Sequence, residues 1–235
     1  MDKTVSDVKL LGVHFDSKLD FNIHCNNICK KVNTKLFRLK KHSFLFTNDF
    51  KIILFKLFIL PIFDYCSSLF ITIKLENFRK LNKSYCKAVK ALLHIDIYNQ
   101  QLEKQICLLK VVNVSPLILR FFIHYCIFIF KLFTKNNTPS IHKFFNKNQC
   151  TMSIRNHYSI NRFNTDYKKI SFSIIATKLL NEFINGFIVN TTKLDSFIKF
   201  VISSSYSLYY KLYLFFGHND RLLILFNFHS LFYSI

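Results

Sequence analysis

From Leu75 to Leu92 the apolar residues fall at Leu75, Phe78, Leu81, Tyr85, Val89 and Leu92. Steps of three and four place them on one stripe of a helix, predicted over about Leu75 to Leu93. Such a stripe has to be buried against other elements, and the preceding sequence is patterned to supply them. Ile28, Val32, Leu36 and Leu39 repeat the spacing and predict a helix from about Phe21 to His42. A second helix is expected from about Asn48 into the sixties, with Thr47 or Asn48 as its cap and Pro61 bending or ending it. Three consecutive helices joined by short polar links make a compact bundle. The expected fold is mainly α: a short N-terminal β strand, then the three-helix bundle, then further helices.

The strand and its junction with the first helix lie in "KLLGVHFDSKLDFNIHCNNICKK", Lys9 to Lys31, which is crowded with His, Cys and Asp. Leu11, Val13 and Phe15 alternate with Gly12 and His14, a strand period that ends at Asp16-Ser17. Asp20 is expected to cap the first helix, which puts His24, Cys25 and Cys29 in its first two turns and makes His24 an orienting residue at the helix start. Strand and cap account for His14, Asp16, Asp20 and His24 without an acid-base or metal site. Cys25 and Cys29 beside His24 open like a zinc site, but no second ligand pair follows at finger-like spacing, so no metal is expected.

Further helices are predicted at about 99 to 111 and 115 to 134, the latter opening on Ser115-Pro116. Residues 135 to 168 are rich in Asn, Ser and Thr and read as a long polar loop. Helical pattern resumes at about Phe172 to Phe183 and Leu194 to Val201. Residues Tyr206 to Ile235 are rich in Phe, Leu and Tyr with no amphipathic period.

Charge narrows the choice of partner. Lys and Arg outnumber Asp and Glu 33 to 13, a formal net charge of +20, which points to nucleic acid or an anionic membrane surface. Gly and Pro number only three each, Trp is absent and Phe occurs 29 times. That is how an AT-rich gene is translated, so codon usage contributes to the lysine count. The seven cysteines are scattered and odd in number, and "MDKTVSDVKL" carries no apolar run, so reduced thiols of an intracellular protein, nuclear or cytoplasmic, are expected. The longest stretches free of charged residues, "LLILFNFHSLFYSI" and "FVISSSYSLYY", are shorter than the roughly 18–20 residues of a membrane span.

"KLLGVHFDSKLDFNIHCNNICKKVNTKLFRLKK" followed by "FKLFILPIFDYCSSLF" resembles the C-terminal portion of the reverse transcriptase of LINE-type (non-LTR, jockey-like) retrotransposons. The matching residues are Leu11, Gly12, Val13, Asp16, Leu19 and His24, which lead from palm to thumb in that family, and Pro61, Asp64 and Tyr65 in the next helix. "LNKSYCKAVKALLHI" is similar to a thumb helix, with Tyr85 where Gln is usual and Lys90 where Arg is usual. "SIRNHYSINRF" and "SFSIIATKLLNEF" resemble the family's tail, with Arg155 and Asn181 retained, Ala176 in place of Gly and Leu180 in place of Trp. "LDSFIKFVI" matches the segment after it, and the likeness covers about residues 8 to 202.

The resemblance implies a strand and hinge from a missing palm over 1–20, a thumb-like bundle over 21–95, additional helices over 96–134, the polar loop over 135–168, a helical tail over 169–205 and an unmatched apolar end over 206–235. It also implies contact with the phosphates of an RNA/DNA duplex through the basic sides of the thumb helices. These are Lys30, Lys31, Lys35, Arg38, Lys40 and Lys41 on the first, and Lys80, Lys83, Lys87 and Lys90 on the third. Polymerases of this kind hold two magnesium ions with carboxylates that include an adjacent Asp pair, and no two acidic residues are adjacent here. Fingers and palm would lie upstream of Met1, so the chain alone is expected not to be an enzyme, with no cofactor and no small-molecule substrate. The competing readings are a basic membrane-associated helical protein, less favoured, and a non-functional translated relic.

Overall fold

A computed structural model describes residues 7–17, 19–134, 176–177 and 194–203. The chain is mainly helical, with a two-stranded antiparallel sheet at its N-terminus. The expected loop over 135–168, the helix over Phe172 to Phe183 apart from Ala176 and Thr177, and the segment 206–235 lie outside the described residues.

The single strand expected near 8–15 is instead a hairpin. β1, Asp7–Leu10, pairs with β2, Val13–Asp16, in a register that sets Leu10 opposite Val13 and Asp7 opposite Asp16. The strand therefore finds its partner just two residues further along the chain. Leu11 and Gly12 form the two-residue turn with φ of 47° and 84°, both left-handed as a type I′ hairpin turn requires. Glycine meets that demand without strain, whereas Leu11 does not. The Tyr65 hydroxyl donates to the Leu11 carbonyl and fixes the turn.

α1, Asn22–Lys41, buries His24, Cys25, Ile28, Val32 and Leu36. Asp20 does not cap it. Asp16 accepts from the Asp20 amide at 2.7 Å and from the Asn22 amide at 3.3 Å, because Phe21 takes a left-handed conformation and brings the helix start back over Asp16. The Asp20 carboxylate receives Lys74, and its carbonyl receives Asn77 Nδ2 at 2.7 Å. The hinge is thus clamped to the start of α4, Leu75–Leu93, the range read from its apolar stripe.

The second helix is present but broken. α2, Asn48–Leu54, is capped by Thr47, whose side chain accepts from the Phe50 amide at 3.3 Å. Phe55–Ile59 widens into a π-helical turn before α3, Leu60–Asp64. Pro61 offers no amide and crowds the carbonyl four residues back, and the wider turn accommodates it. Cys66 then turns left-handed at φ 55° into a 3₁₀ segment, Ser67–Thr72.

α5, Leu102–Lys110, and α6, Leu117–Thr134, complete the described sequence-continuous part. α6 is apolar on nearly every side, as a helix enclosed by others must be, and Phe121, Phe122, Tyr125, Ile129 and Phe130 are almost wholly buried. Phe121 lies 5.4 Å from Phe70 and 6.3 Å from Phe78, and Phe130 stacks at 4.1 Å on Phe197 of the helix over 194–203. Tyr85 sits between Phe55 and Phe63 at edge-on angles and donates to the Ser115 carbonyl at 2.8 Å. Among the described residues, no helix is long and apolar enough to cross a membrane.

Candidate nucleic-acid interface

Ten basic residues were expected to contact phosphates, and the structure divides them. Cys29 Sγ lies 3.7 Å from the Lys80 carbonyl and Lys80 Nζ reaches Asn22 Oδ1 at 3.3 Å, so α4 packs on the flank of α1 that carries Asn22 and Cys29. Lys31 stands nine positions beyond Asn22, roughly half a turn round the helix. Lys31, Lys35 and Arg38 line a cavity with Gly12, Ile62 and Tyr65, on a different side of α1 from the α4 contact. Lys31, Lys35 and Arg38 therefore do not face the basic side of α4.

The two sets also differ in how their charge is balanced. On α4, Lys80 pairs with Glu76 at 3.1 Å and Lys90 with Asp96 at 2.5 Å. The Lys90 ammonium, with the Tyr98 amide, holds Asp96 below the usual carboxylate range. Lys83 and Lys87 are exposed. On α1, no described carboxylate pairs with Lys30, Lys31, Lys35 or Arg38; Lys35 Nζ lies 5.5 Å from the Phe58 ring centroid. Lys40 and Lys41 stand in the last turn, where positive charge complements the helix dipole. Four cations of α1 without a described carboxylate partner, Lys30, Lys31, Lys35 and Arg38, therefore line one cavity.

That cavity has a volume of about 540 Å³ and also includes Lys30, Thr34 and Ile28 in its walls. Its buried polar member is His24, 4% exposed. Neither ring nitrogen of His24 has a hydrogen-bond partner, so the residue does not orient the helix start through a bond of its own. Its ring lies 5.6 Å from Phe70 and 6.4 Å from His14. Burial, helped by His14 and Lys31, lowers its pKa and keeps the imidazole neutral. The cavity was not legible in the sequence: its walls come from the hairpin turn, α1 and α3, and only the basic spacing of α1 had a local signal.

A second polar cluster joins α3 to α6. Arg120 grips Asp64 with two bonds of 2.5 Å, Nε to Oδ1 and Nη2 to Oδ2. His124 Nδ1 lies 2.9 Å from Ser67 Oγ, with Nε2 3.9 Å from Asp64 Oδ1. The order Ser67, His124, Asp64 has the residue types of a nucleophile, base and orienting acid. Its geometry does not serve that chemistry. Ser67 is 1% exposed, and Arg120 holds both Asp64 oxygens. Burial lowers the His124 pKa despite the nearby Asp64. The cluster acts as a tether between helices.

The carboxylates of the hinge and His14 are likewise engaged separately, His14 with Asp7 at 3.4 Å, Asp16 with two amides and Asp20 with Lys74. Among the described residues no group of three or more His, Cys, Asp or Glu could hold a metal ion. Cys25 is buried and its thiol pushed up to about 12 by desolvation, while Cys29 points at a backbone carbonyl. No protein-family model, curated protein or solved structure matches the chain.

Proposed function

We propose that this chain is a nucleic-acid-binding module of thumb type, related to the reverse transcriptases of LINE-type retrotransposons, that grips phosphate backbones and by itself carries no polymerase chemistry. The observation that carries the reading is the run of unpaired cations Lys30, Lys31, Lys35 and Arg38 on one helix. An array of positive side chains without carboxylate partners is suited to phosphates and reads no bases. The α4 residues Lys83 and Lys87 add positive surface elsewhere, while Lys80 and Lys90 are partly satisfied by Glu76 and Asp96. The lack of any adjacent carboxylate pair in the sequence supports a binding role without two-metal catalysis.

Fluorescence anisotropy with an RNA/DNA duplex, repeated across salt concentrations, tests the reading. Each phosphate contact contributes about −0.9 to the slope of log affinity against log salt. Neutralising Lys30, Lys31, Lys35 and Arg38 to Gln is expected to flatten the slope by about three to four. A control neutralising Lys83, Lys87, Lys104 and Lys110 is expected to change it by less than half as much. Equal losses in both would leave only diffuse charge attraction and overturn the α1 site.

One observation favours a second reading. Phe37, Phe44, Leu45, Phe50, Ile53 and Leu57 are each more than two-fifths exposed, giving α1's end and α2 an apolar surface next to basic residues. Such a surface suits attachment to an anionic bilayer. Stronger binding to phosphatidylserine vesicles than to duplex at equal salt, lost on Phe44→Ser with Leu57→Ser, would favour that reading over the first.

A further inference from the structure

The geometry points to the cavity between α1, the hairpin turn and Tyr65 as a binding site for one phosphorylated nucleotide, with Lys31, Lys35 and Arg38 on the phosphate, Tyr65 against the base and His24 at the floor. This deepens the nucleic-acid reading by naming the group received, and its ligand can bind without a duplex.

Size and wall chemistry argue for a nucleotide over a bare anion. At about 540 Å³ the cavity is in the range of small-molecule sites, about 300–1,000 Å³, and a lone phosphate would leave much of it unfilled. Ile28, Ile62 and the Tyr65 ring supply apolar and aromatic wall beside the cations, the combination that stacks a base and neutralises its phosphate. Tyr65 is held for this role by the bond from its hydroxyl to the Leu11 carbonyl, and its ring meets the turn at Gly12, 3.8 Å from where a Cβ would stand. Among the described residues no carboxylate lines the cavity. Like charges four residues apart on a helix destabilise it, so Lys31 and Lys35 are set against each other until an anion lies between them.

His24 is the independent sign of a ligand. A buried polar side chain without a partner is rare, and this one lines the cavity with both nitrogens unpaired. A neutral imidazole offers one N–H and one acceptor. The ring torsion of histidine has broad minima, so a modest turn brings the N–H onto a phosphate oxygen. Its low proton affinity, set by burial with His14 on β2 and Lys31 beside it, keeps the floor free of a further positive charge.

The test uses the full chain with adenosine 5′-monophosphate, adenosine, inorganic phosphate and a 5′-phosphorylated oligothymidine of six residues, followed by calorimetry and by the His24 ring signals in NMR. The monophosphate is expected to bind and to move the His24 resonances, with adenosine and inorganic phosphate each at least tenfold weaker. Lys31→Glu with Arg38→Glu, both at the surface, should weaken monophosphate binding at least tenfold. His24→Leu should weaken it at least threefold while the unfolding midpoint stays equal or rises, because an unpaired buried ring is lost. Inorganic phosphate binding as tightly as the nucleotide, unmoved His24 signals, or undiminished binding by the Lys31/Arg38 variant would each overturn the site. Duplex binding that persists without monophosphate binding defeats this proposal and spares the broader function. Monophosphate binding without duplex binding does the reverse.

Discussion

Replacing Arg120 by Met removes the charged half of the Arg120–Asp64 pair while keeping most of the side chain's apolar stem. The two side chains are 22% and 20% exposed and joined by two bonds of 2.5 Å. A fully buried charge left without its partner costs about 3–5 kcal/mol, whereas an exposed pair contributes about 0–1 kcal/mol. At one-fifth exposure water reaches part of the carboxylate, and His124 Nε2 at 3.9 Å gives only weak compensation, so a loss of about 2–3 kcal/mol is expected. For a chain of this size that lowers the melting temperature by about 4–12 °C. Urea unfolding followed by far-UV circular dichroism measures it. Asp64→Leu combined with Arg120→Met should cost less than the two single changes added together, because neither charge is then stranded. The His124 ring should titrate higher in Arg120→Met, since Arg120 is one of the groups that lower it. Single changes below about 0.5 kcal/mol, additive energies and an unchanged His124 titration would together refute the tether.

His94 closes α4 in the left-handed region at φ 58°, where glycine is the unstrained residue; His94→Gly should stabilise by about 1 kcal/mol, and a loss measured by urea unfolding would contradict the cap reading. Cooling of stability with acid is the next expectation. His24 and His124 are both held below the ordinary imidazole pKa, so as pH falls through about 6.5 the unfolded chain takes up protons that the folded chain refuses. Stability therefore drops below that pH; a melting temperature that stays flat between pH 7 and 5.5, or an unreduced drop in His24→Leu, would refute it. Among the described thiols Cys107 is exposed while Cys25, Cys86 and Cys126 are buried, and desolvation pushes Cys25 and Cys86 up to about 12 and Cys126 higher still. Iodoacetamide mapped by mass spectrometry should label Cys107 first, and early labelling of Cys25 would contradict the packing of α1 on α4.

What could be read in advance follows from how far apart the deciding residues are. The limits of α4 are local: six apolar residues at helical spacing say where the stripe runs, and the structure returns Leu75–Leu93. Thr47 likewise needed only its neighbour Phe50 to act as a cap. The hairpin is hidden in the sequence because Leu11, Val13 and Phe15 alternate as one strand would, and a Leu-Gly turn lacks the usual Asn-Gly mark. Gly12, in a chain with three glycines, was the one available sign of a turn. Two aspartates stood where a cap was needed. Spacing favours Asp20, but Lys74 and Asn77, more than fifty residues on, draw it to α4 and leave Asp16 to hold the amides. The basic residues of α1 and α4 were visible as helical faces, since that depends on spacing alone. Which side each face turned to was set by Cys29 against Lys80 and by Tyr65 against Leu11, contacts with no local period. The sequence could place cations on a helix, but the cavity they rim and the unpaired ring of His24 beneath them arise only when the hairpin, α1 and α3 are brought together.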